Sequence, residues 1–158
     1  MAGATPAIAA LRAAGVAYSE HRYDHDPAVA SYGMEAAEVL GLPPEQVFKT
    51  LLCEIDGRAH VALVPVSCQL DLKHVATAVG GKKAEMMAVA AAERLTGYIA
   101  GGISPFGQKW SSPTIVDETA ELYDVIYVSG GRRGFNIGVA PHDLQRVLDA
   151  VFADIARA

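Results

Sequence analysis

The chain has 158 residues, 51% of them hydrophobic, and carries a formal net charge of −5 from 13 basic and 18 acidic side chains. This length fits one domain over residues 1–158, with enough apolar material for a core. The negative net charge argues against a protein that binds DNA over a wide basic surface. The apolar runs are too short to span a bilayer. The N-terminus lacks the basic start and long apolar segment of a secretory signal, so we expect a cytoplasmic protein with no membrane partner.

The first half of the sequence predicts two helices followed by a β-hairpin. A short amphipathic helix follows Pro6 and stops at Gly15, and residues 16–23 alternate as a strand does. A second helix is predicted over 31–41, with Ser31 as N-cap and Gly41 as C-cap. Residues 47–55 and 58–66 then read as two strands joined by the turn Asp56-Gly57.

The second half predicts short helices and then short strands. Asp71 caps a helix that ends at Gly80-Gly81, and a further helix covers 88–95. The later pattern predicts strands over 113–118, 123–130 and 134–139 and one last helix over 141–155. The irregular spacing favours an α+β fold, a mixed β-sheet or barrel flanked by short helices, over a regular doubly wound sheet.

Lys49 is the most informative single residue. In a strand over 47–55 it shares a face with Val47, Leu51 and Cys53, because side chains alternate with a period of two. An ammonium among apolar neighbours has a lowered pKa and persists only if it is paired or useful. The alternative is a lysine near a strand end whose stem lies on the apolar surface while its ammonium reaches solvent.

Two glycine-rich segments are candidate binding loops. Gly101-Gly102-Ile103-Ser104-Pro105 would let backbone N–H groups approach a ligand and form an oxyanion hole, although an ordinary tight turn has the same pattern. Residues 129–134, the sequence SGGRRG, follow a strand and could bind an anion through amides and guanidinium groups. Its alternative is a hairpin turn with solvated arginines.

Metal and thiol chemistry are disfavoured. His21, His25 and the aspartates around them could ligate zinc, but no distant motif completes such a site and Arg22 would repel a cation, so we expect no metal and no cofactor. Cys53 and Cys68 lie in or beside apolar runs without an activating base, so we interpret both as reduced core residues rather than nucleophiles.

Four segments in order give the sequence a family resemblance. EHRYDHDPA, VFKTLL, GGISPFGQK and YVSGGRRGFNIGVAP, with DLKHVATAVGGKKAEM between the second and third, resemble the YbaK family of Cys-tRNA(Pro) deacylases, relatives of the prolyl-tRNA synthetase editing domain. The resemblance spans nearly the whole chain. It implies a single YbaK-like aminoacyl-tRNA deacylase domain that acts on the acceptor end of mischarged tRNA without a metal and works beside prolyl-tRNA synthetase.

The resemblance also implies the site residues. The essential lysine of the family matches Lys49, its pocket tyrosine matches Tyr23, and Asn136 stands where many relatives have Asp, so a carboxylate there is not expected to be required. The other residues expected to bind substrate are Thr50, Gly101, Gly102, Ile103, Ser104, Pro105, Ser129 and Gly130.

Several functional questions stay open at the level of sequence. The attacking group can be water or the thiol of the substrate itself, because an aminoacyl ester is already activated and needs mainly positioning and oxyanion stabilisation. The alternatives are an enzyme that edits Ala or another small residue, and a non-catalytic module that binds a synthetase or tRNA.

Overall fold

The computed structural model describes residues 4–29 and 31–158, so the expectation of one domain over 1–158 includes residues 1–3 and 30 outside that part. The five α-helices of the described ranges are α1 Pro6–Ala14, α2 Tyr32–Leu40, α3 Leu72–Ala78, α4 Val89–Thr96 and α5 Pro141–Leu148. The Thr5 hydroxyl accepts from Ile8 N at the start of α1, and Gly15 and Gly41 end α1 and α2 in the left-handed conformation. Ser31 occupies the N-cap position of α2, but its side chain makes no capping hydrogen bond.

The strands form three sheets. Their bounds are β1 Ser19–Arg22, β2 Phe48–Ile55, β3 Arg58–Pro65, β4 Gln69–Leu70, β5 Ala84–Met86, β6 Thr114–Asp117, β7 Ile126–Arg132, β8 Phe135–Val139, β9 Val151–Ala153 and β10 Ala156–Arg157. The largest sheet has the order β5-β2-β3-β6-β9, with β3, β6 and β9 parallel and the other pairs antiparallel. A second sheet, β1-β8-β7, is antiparallel, and β10 pairs with β4. The α+β prediction with a mixed sheet is therefore confirmed, and over the described residues the five-stranded sheet stays open rather than closing into a barrel.

The two larger sheets meet at the start of β2. The predicted hairpin of β2 and β3 forms, with Asp56 and Gly57 both at positive φ as a tight two-residue turn requires. At the other end of β2, Val47 makes a parallel bridge to Tyr127 of β7. Lys49 follows this bridge by two residues, so the functional candidate lies where the sheets join.

The core fills the space between the sheets and the helices. Phe48, Phe106 and Phe135 are each no more than 2% exposed and belong to one cluster with the inner faces of α1 and α5. A second cluster packs α3 against the strands β2, β3 and β6 of the five-stranded sheet. Burial of these aromatic side chains, each worth about 1.5–3 kcal/mol relative to exposure, fixes the strands that carry the candidate site.

The prediction of one last helix over 141–155 is wrong. The helix α5 ends at Leu148, Asp149 adopts φ 52°, and Val151–Ala153 pairs with β6 as a parallel edge strand. Asp117 explains the change, because its buried carboxylate accepts the backbone N–H groups of Ile155 and Ala156, at 3.0 Å each. Within the described part of the chain no helix is both long enough and apolar enough to cross a bilayer.

Candidate functional site

A cavity of about 370 Å³ opens where β2, the start of α2, α4 and the loop after α4 meet. This volume lies in the range of small-molecule sites. Seven of the eleven predicted site residues line it, namely Tyr23, Lys49, Thr50, Gly101, Ile103, Ser129 and Asn136. The remaining walls are mostly small or apolar side chains, including Ala36, Val47, Leu51, Leu52, Met86, Met87, Val89 and Ala92.

Lys49 brings a partly buried cation into this cavity. Of the residues predicted to share its face, Val47 just before β2 and Cys53 within it are buried, whereas Leu51 is partly exposed. Loss of hydration lowers the pKa of Lys49, and the Cys68 thiol opposes that shift more weakly. Among the described residues the Lys49 ammonium makes no ion pair and no hydrogen bond. The predicted lowering of the pKa is confirmed, and the charge has no structural partner to account for it.

Polar groups from three strands line the same cavity as Lys49. Thr50 follows Lys49 on β2, and its hydroxyl oxygen is buried without a hydrogen-bond partner in the described part of the chain. Ser129 of β7 and Asn136 of β8 face one another across the antiparallel pair. The Ser129 hydroxyl accepts from Gly131 N at 3.2 Å, while the Asn136 side chain is 7% exposed. A buried unpaired hydroxyl costs free energy, so this arrangement suits a polar ligand.

The loop after α4 is held rigidly against the cavity. The Tyr98 hydroxyl donates to Phe106 O at 2.6 Å, and Glu93 of α4 accepts from Ala100 N at 2.8 Å. Gly101 has φ 85° and lies so close to Tyr32 that a Cβ would be 2.6 Å from its ring. Within the described residues the N–H groups of Gly101 and Ile103 have no acceptor, so both are available to a ligand.

Four predicted site residues do not line the cavity, and each has a structural role nearby. Gly102 N donates to Ile99 O, and a Cβ on Gly102 would be 2.7 Å from the backbone of Arg132. Ser104 is fully buried, and its hydroxyl accepts from Phe106 N. The other two are Pro105, which is buried beside Ser104, and Gly130, whose carbonyl accepts from the Thr5 hydroxyl. They support the loops behind the cavity wall.

A buried carboxylate holds the segment around Tyr23 in place. Glu35 of α2 is 4% exposed, and its two oxygens bind His25 Nδ1 and Asp26 N, both at 2.7 Å. Tyr23 N donates to Gly134 O at 2.9 Å. Burial raises the pKa of Tyr23, and the nearby Glu35 charge adds to the rise, so its hydroxyl stays neutral and can donate to a ligand.

Sequence reasoning missed Tyr32, which also lines the cavity. Its ring packs on Gly101, on the His25 ring with centroids 5.4 Å apart, and under the Arg133 guanidinium at 4.9 Å. The available signal was an aromatic residue between the N-cap Ser31 and Gly33 at the start of an amphipathic helix. Nothing in a single sequence indicated that this turn of helix meets the loop at 101, because that contact is made by residues about seventy positions apart.

The histidines and cysteines of the described residues form no metal-binding cluster, and the two cysteines differ in burial. No three His, Cys, Asp or Glu groups converge for a metal ion within the described ranges. Cys53 is fully buried, and burial raises the pKa of its thiol to about 11, as expected for an unreactive core cysteine. Cys68 is also a free cysteine, but it is partly exposed in the turn between β3 and β4, so the prediction that it is a core residue is wrong.

The sequence and the fold correspond to a known class of editing domains. Residues 26–147 match the aminoacyl-tRNA editing domain, more than half of the chain, so the chain belongs to that family. The matched segment contains ten of the eleven predicted site residues and omits only Tyr23.

Two curated relatives come from bacteria. EbsC of Enterococcus faecalis, named as a Cys-tRNA(Pro)/Cys-tRNA(Cys) deacylase, is 42% identical over 120 residues, which are 75% of this chain and 73% of EbsC. ProXp-y of Escherichia coli K12, named as a multifunctional Ser/Thr-tRNA deacylase, is 26% identical over 126 residues, 77% of this chain and 75% of that protein.

Solved structures agree with this assignment. A protein described as a trans-editing enzyme for prolyl-tRNA synthetase superposes with a TM-score of 0.81 and 26% identity, covering 97% of this chain and 96% of that one. A hypothetical protein with 23% identity has a TM-score of 0.83 over 93% of this chain and 96% of its own, and shows the shared fold.

Proposed function

We propose that this protein is a trans-editing deacylase that hydrolyses the ester between a wrong amino acid and the 3′-terminal adenosine of tRNA, with Cys-tRNA(Pro) as its substrate. The observation that carries the proposal is the unpaired, partly buried Lys49 ammonium in a cavity of this size, in a chain of the aminoacyl-tRNA editing family. The 42% identity with EbsC, named as a cysteinyl-tRNA deacylase, supports cysteine as the amino acid.

The chemistry follows from the geometry of the cavity walls. Attack on the ester carbonyl places negative charge on its oxygen, and the Lys49 ammonium together with the N–H groups of Gly101 and Ile103 can stabilise that charge. No protein nucleophile is needed, because the ester is activated. Attack by water breaks the ester to give the free amino acid, and attack by the thiol of the substrate gives a cyclic thioester; in both cases the 3′ oxygen of the ribose leaves and takes up the proton of the attacking group. Tyr23, Thr50, Ser129 and Asn136 are proposed to bind the amino group and the ribose hydroxyls.

The size and polarity of the cavity set the specificity in this proposal. The aminoacyl side chain contacts small and apolar walls, while the cavity is also lined by one amide and by several hydroxyl-bearing residues, namely Asn136, Tyr23, Ser31, Tyr32, Thr50 and Ser129. A second candidate activity, removal of serine or threonine, is favoured by those hydroxyls and by the relation to ProXp-y. We further propose that the protein works beside prolyl-tRNA synthetase, as the description of its structural relative suggests.

A deacylation panel tests this function. The pure protein should hydrolyse tRNA(Pro) charged with cysteine faster than the same tRNA charged with serine, threonine or alanine, and should spare Pro-tRNA(Pro). Faster release of serine or threonine would show that the protein is a Ser/Thr-tRNA deacylase rather than a Cys-tRNA(Pro) deacylase. If the protein binds charged tRNA and hydrolyses none of the five esters, it is a non-catalytic binding module and the proposed function is wrong.

A further inference from the structure

A second concavity, of about 490 Å³, adjoins the cavity and is lined by three arginines. We call it the arginine groove; its residues are Arg22, Tyr23, Asp24, Arg132, Arg133, Gly134 and Phe135. Tyr23 lines both spaces, so the groove begins where the cavity ends. Three guanidinium groups around one depression are unusual on a chain whose net charge is −5.

The fold holds these guanidinium groups in fixed positions. The strands β7 and β8 shift register between Ser129 and Arg132, and this bulge places Arg132 opposite Phe135. The Arg22 and Arg132 guanidinium groups lie over the Phe135 ring, 4.5 and 5.6 Å from its centroid. Arg133 Nε donates to Ala100 O, which connects the groove to the loop that lines the cavity. Stacking of this kind orders the arginines while leaving donors for an anion.

Carboxylates near the groove offset only part of this charge. Arg22 pairs with Glu20 at 2.7 Å, on an exposed surface where such a pair is weak. Asp24 also lines the groove and is exposed. Among the described residues that line the groove there are three guanidinium groups and one carboxylate, so the lining itself is positively charged. The planar guanidinium matches the geometry of a phosphate.

We infer that the arginine groove binds the phosphates of the single-stranded 3′ end of tRNA, just before the terminal adenosine; this inference rests on the proposed function. If the aminoacyl ester lies beside Lys49, the phosphates that precede the terminal adenosine leave the cavity past Tyr23, and the groove starts there. Single-stranded RNA is held by such positively charged tracks and also stacks its bases on guanidinium planes.

The test measures binding without any hydrolysis. The probe is an uncharged, fluorescently labelled RNA hairpin with the acceptor stem of tRNA(Pro) and a single-stranded ACCA end, and its binding is followed by anisotropy. Arg22→Gln and Arg132→Gln should each weaken binding roughly three- to ten-fold, because each removes one phosphate contact. Arg58→Gln, an equal charge change at the exposed β2–β3 hairpin, is the matched control and should leave binding within about two-fold of the wild type.

A change of opposite sign separates electrostatics from structural damage. Asp24→Asn removes a carboxylate from the groove and should tighten binding about two- to five-fold, which a damaged fold would not do. A blunt-ended hairpin without ACCA should bind more weakly than the tailed probe. Equal binding of both hairpins, or unchanged binding by both arginine variants, would overturn the inference while leaving the proposed deacylase intact. If the protein hydrolyses no ester and still shows these binding changes, the inference about the groove stands and the proposed deacylase function is wrong.

Discussion

The ammonium of Lys49 gives up hydration in the cavity without gaining an ion pair among the described residues. A charge in that position costs free energy unless a ligand compensates for it, and this cost supports the proposed role of Lys49 in the reaction. In the proposed mechanism, the other residues that line the cavity stabilise the oxyanion or bind the substrate. Gly101 and Ile103 offer backbone donors, and Thr50, Ser129 and Asn136 offer side-chain groups that can hold the substrate.

The lowered pKa of Lys49 predicts how activity depends on pH. If the charged form stabilises the oxyanion, activity falls as pH rises through the pKa of Lys49, which lies below the ordinary value of 10.5. The alkaline limb of kcat/KM, corrected for spontaneous ester hydrolysis, should therefore have a midpoint below 10.5 and should be absent from Lys49→Ala. A rate that climbs through the same range would mean that the neutral amine acts as a base.

At the scale of elements, the loop after α4 must approach the cavity without a side chain at Gly101. Gly101→Ala should lower deacylation by about ten-fold or more, because the methyl group meets the Tyr32 ring and the backbone has φ 85°. Gly57→Ala is the matched control, since Gly57 has φ 80° with open space around it. Both variants should lose about 1 kcal/mol of stability to the backbone conformation, but only Gly101→Ala should lose activity. Equal activities would show that the close packing at Gly101 is irrelevant to catalysis.

The C-terminal strands depend on one buried carboxylate. Asp117 is 1% exposed and accepts the N–H groups of Thr119, Ile155 and Ala156 together with the Thr119 hydroxyl. Asp117→Ala should lower the free energy of unfolding by about 3 kcal/mol, because those buried donors lose their acceptor. Urea denaturation measures this, with the exposed Asp124→Ala expected within about 0.5 kcal/mol of the wild type. A similar small effect for both variants would contradict the proposed role of Asp117.

The sequence was informative where local chemistry decides the structure. Gly15 and Gly41 ended helices, Asp56-Gly57 made the hairpin turn, and the period of β2 put Lys49 on a buried face. The sequence was misleading where a distant group determines the structure. The helical pattern after Pro141 continues past Leu148, but residues 151–153 form a strand, because they pair with the edge of β6 and the Asp117 carboxylate binds the backbone that follows them. For the same reason the position of Tyr32 was not predicted, and neither was the approach of Arg22 to the anion-binding candidate at residues 129–134, since both depend on segments far apart in sequence.

At the scale of the whole molecule, the arginine groove belongs to a chain with a net charge of −5. The predicted affinity for tRNA is therefore weak and only modestly dependent on salt, because few phosphates meet cations. Binding of uncharged tRNA(Pro) across a salt series should give a log–log slope of roughly −2 to −4, at about −0.7 to −0.9 for each phosphate contact. A much steeper slope would reveal an extended nucleic-acid surface beyond the arginine groove.

The most direct test of the account is single-turnover hydrolysis of Cys-tRNA(Pro) by the wild type, Lys49→Ala and Lys49→Arg, with circular dichroism as the control for folding. Lys49→Ala should fold normally and hydrolyse the ester roughly 10²-fold more slowly or worse, the scale for loss of one donor to the transition state. Lys49→Arg should recover little, because a planar guanidinium does not replace a compact ammonium in a cavity of about 370 Å³. A folded Lys49→Ala that hydrolyses Cys-tRNA(Pro) at close to the wild-type rate would contradict the central claim.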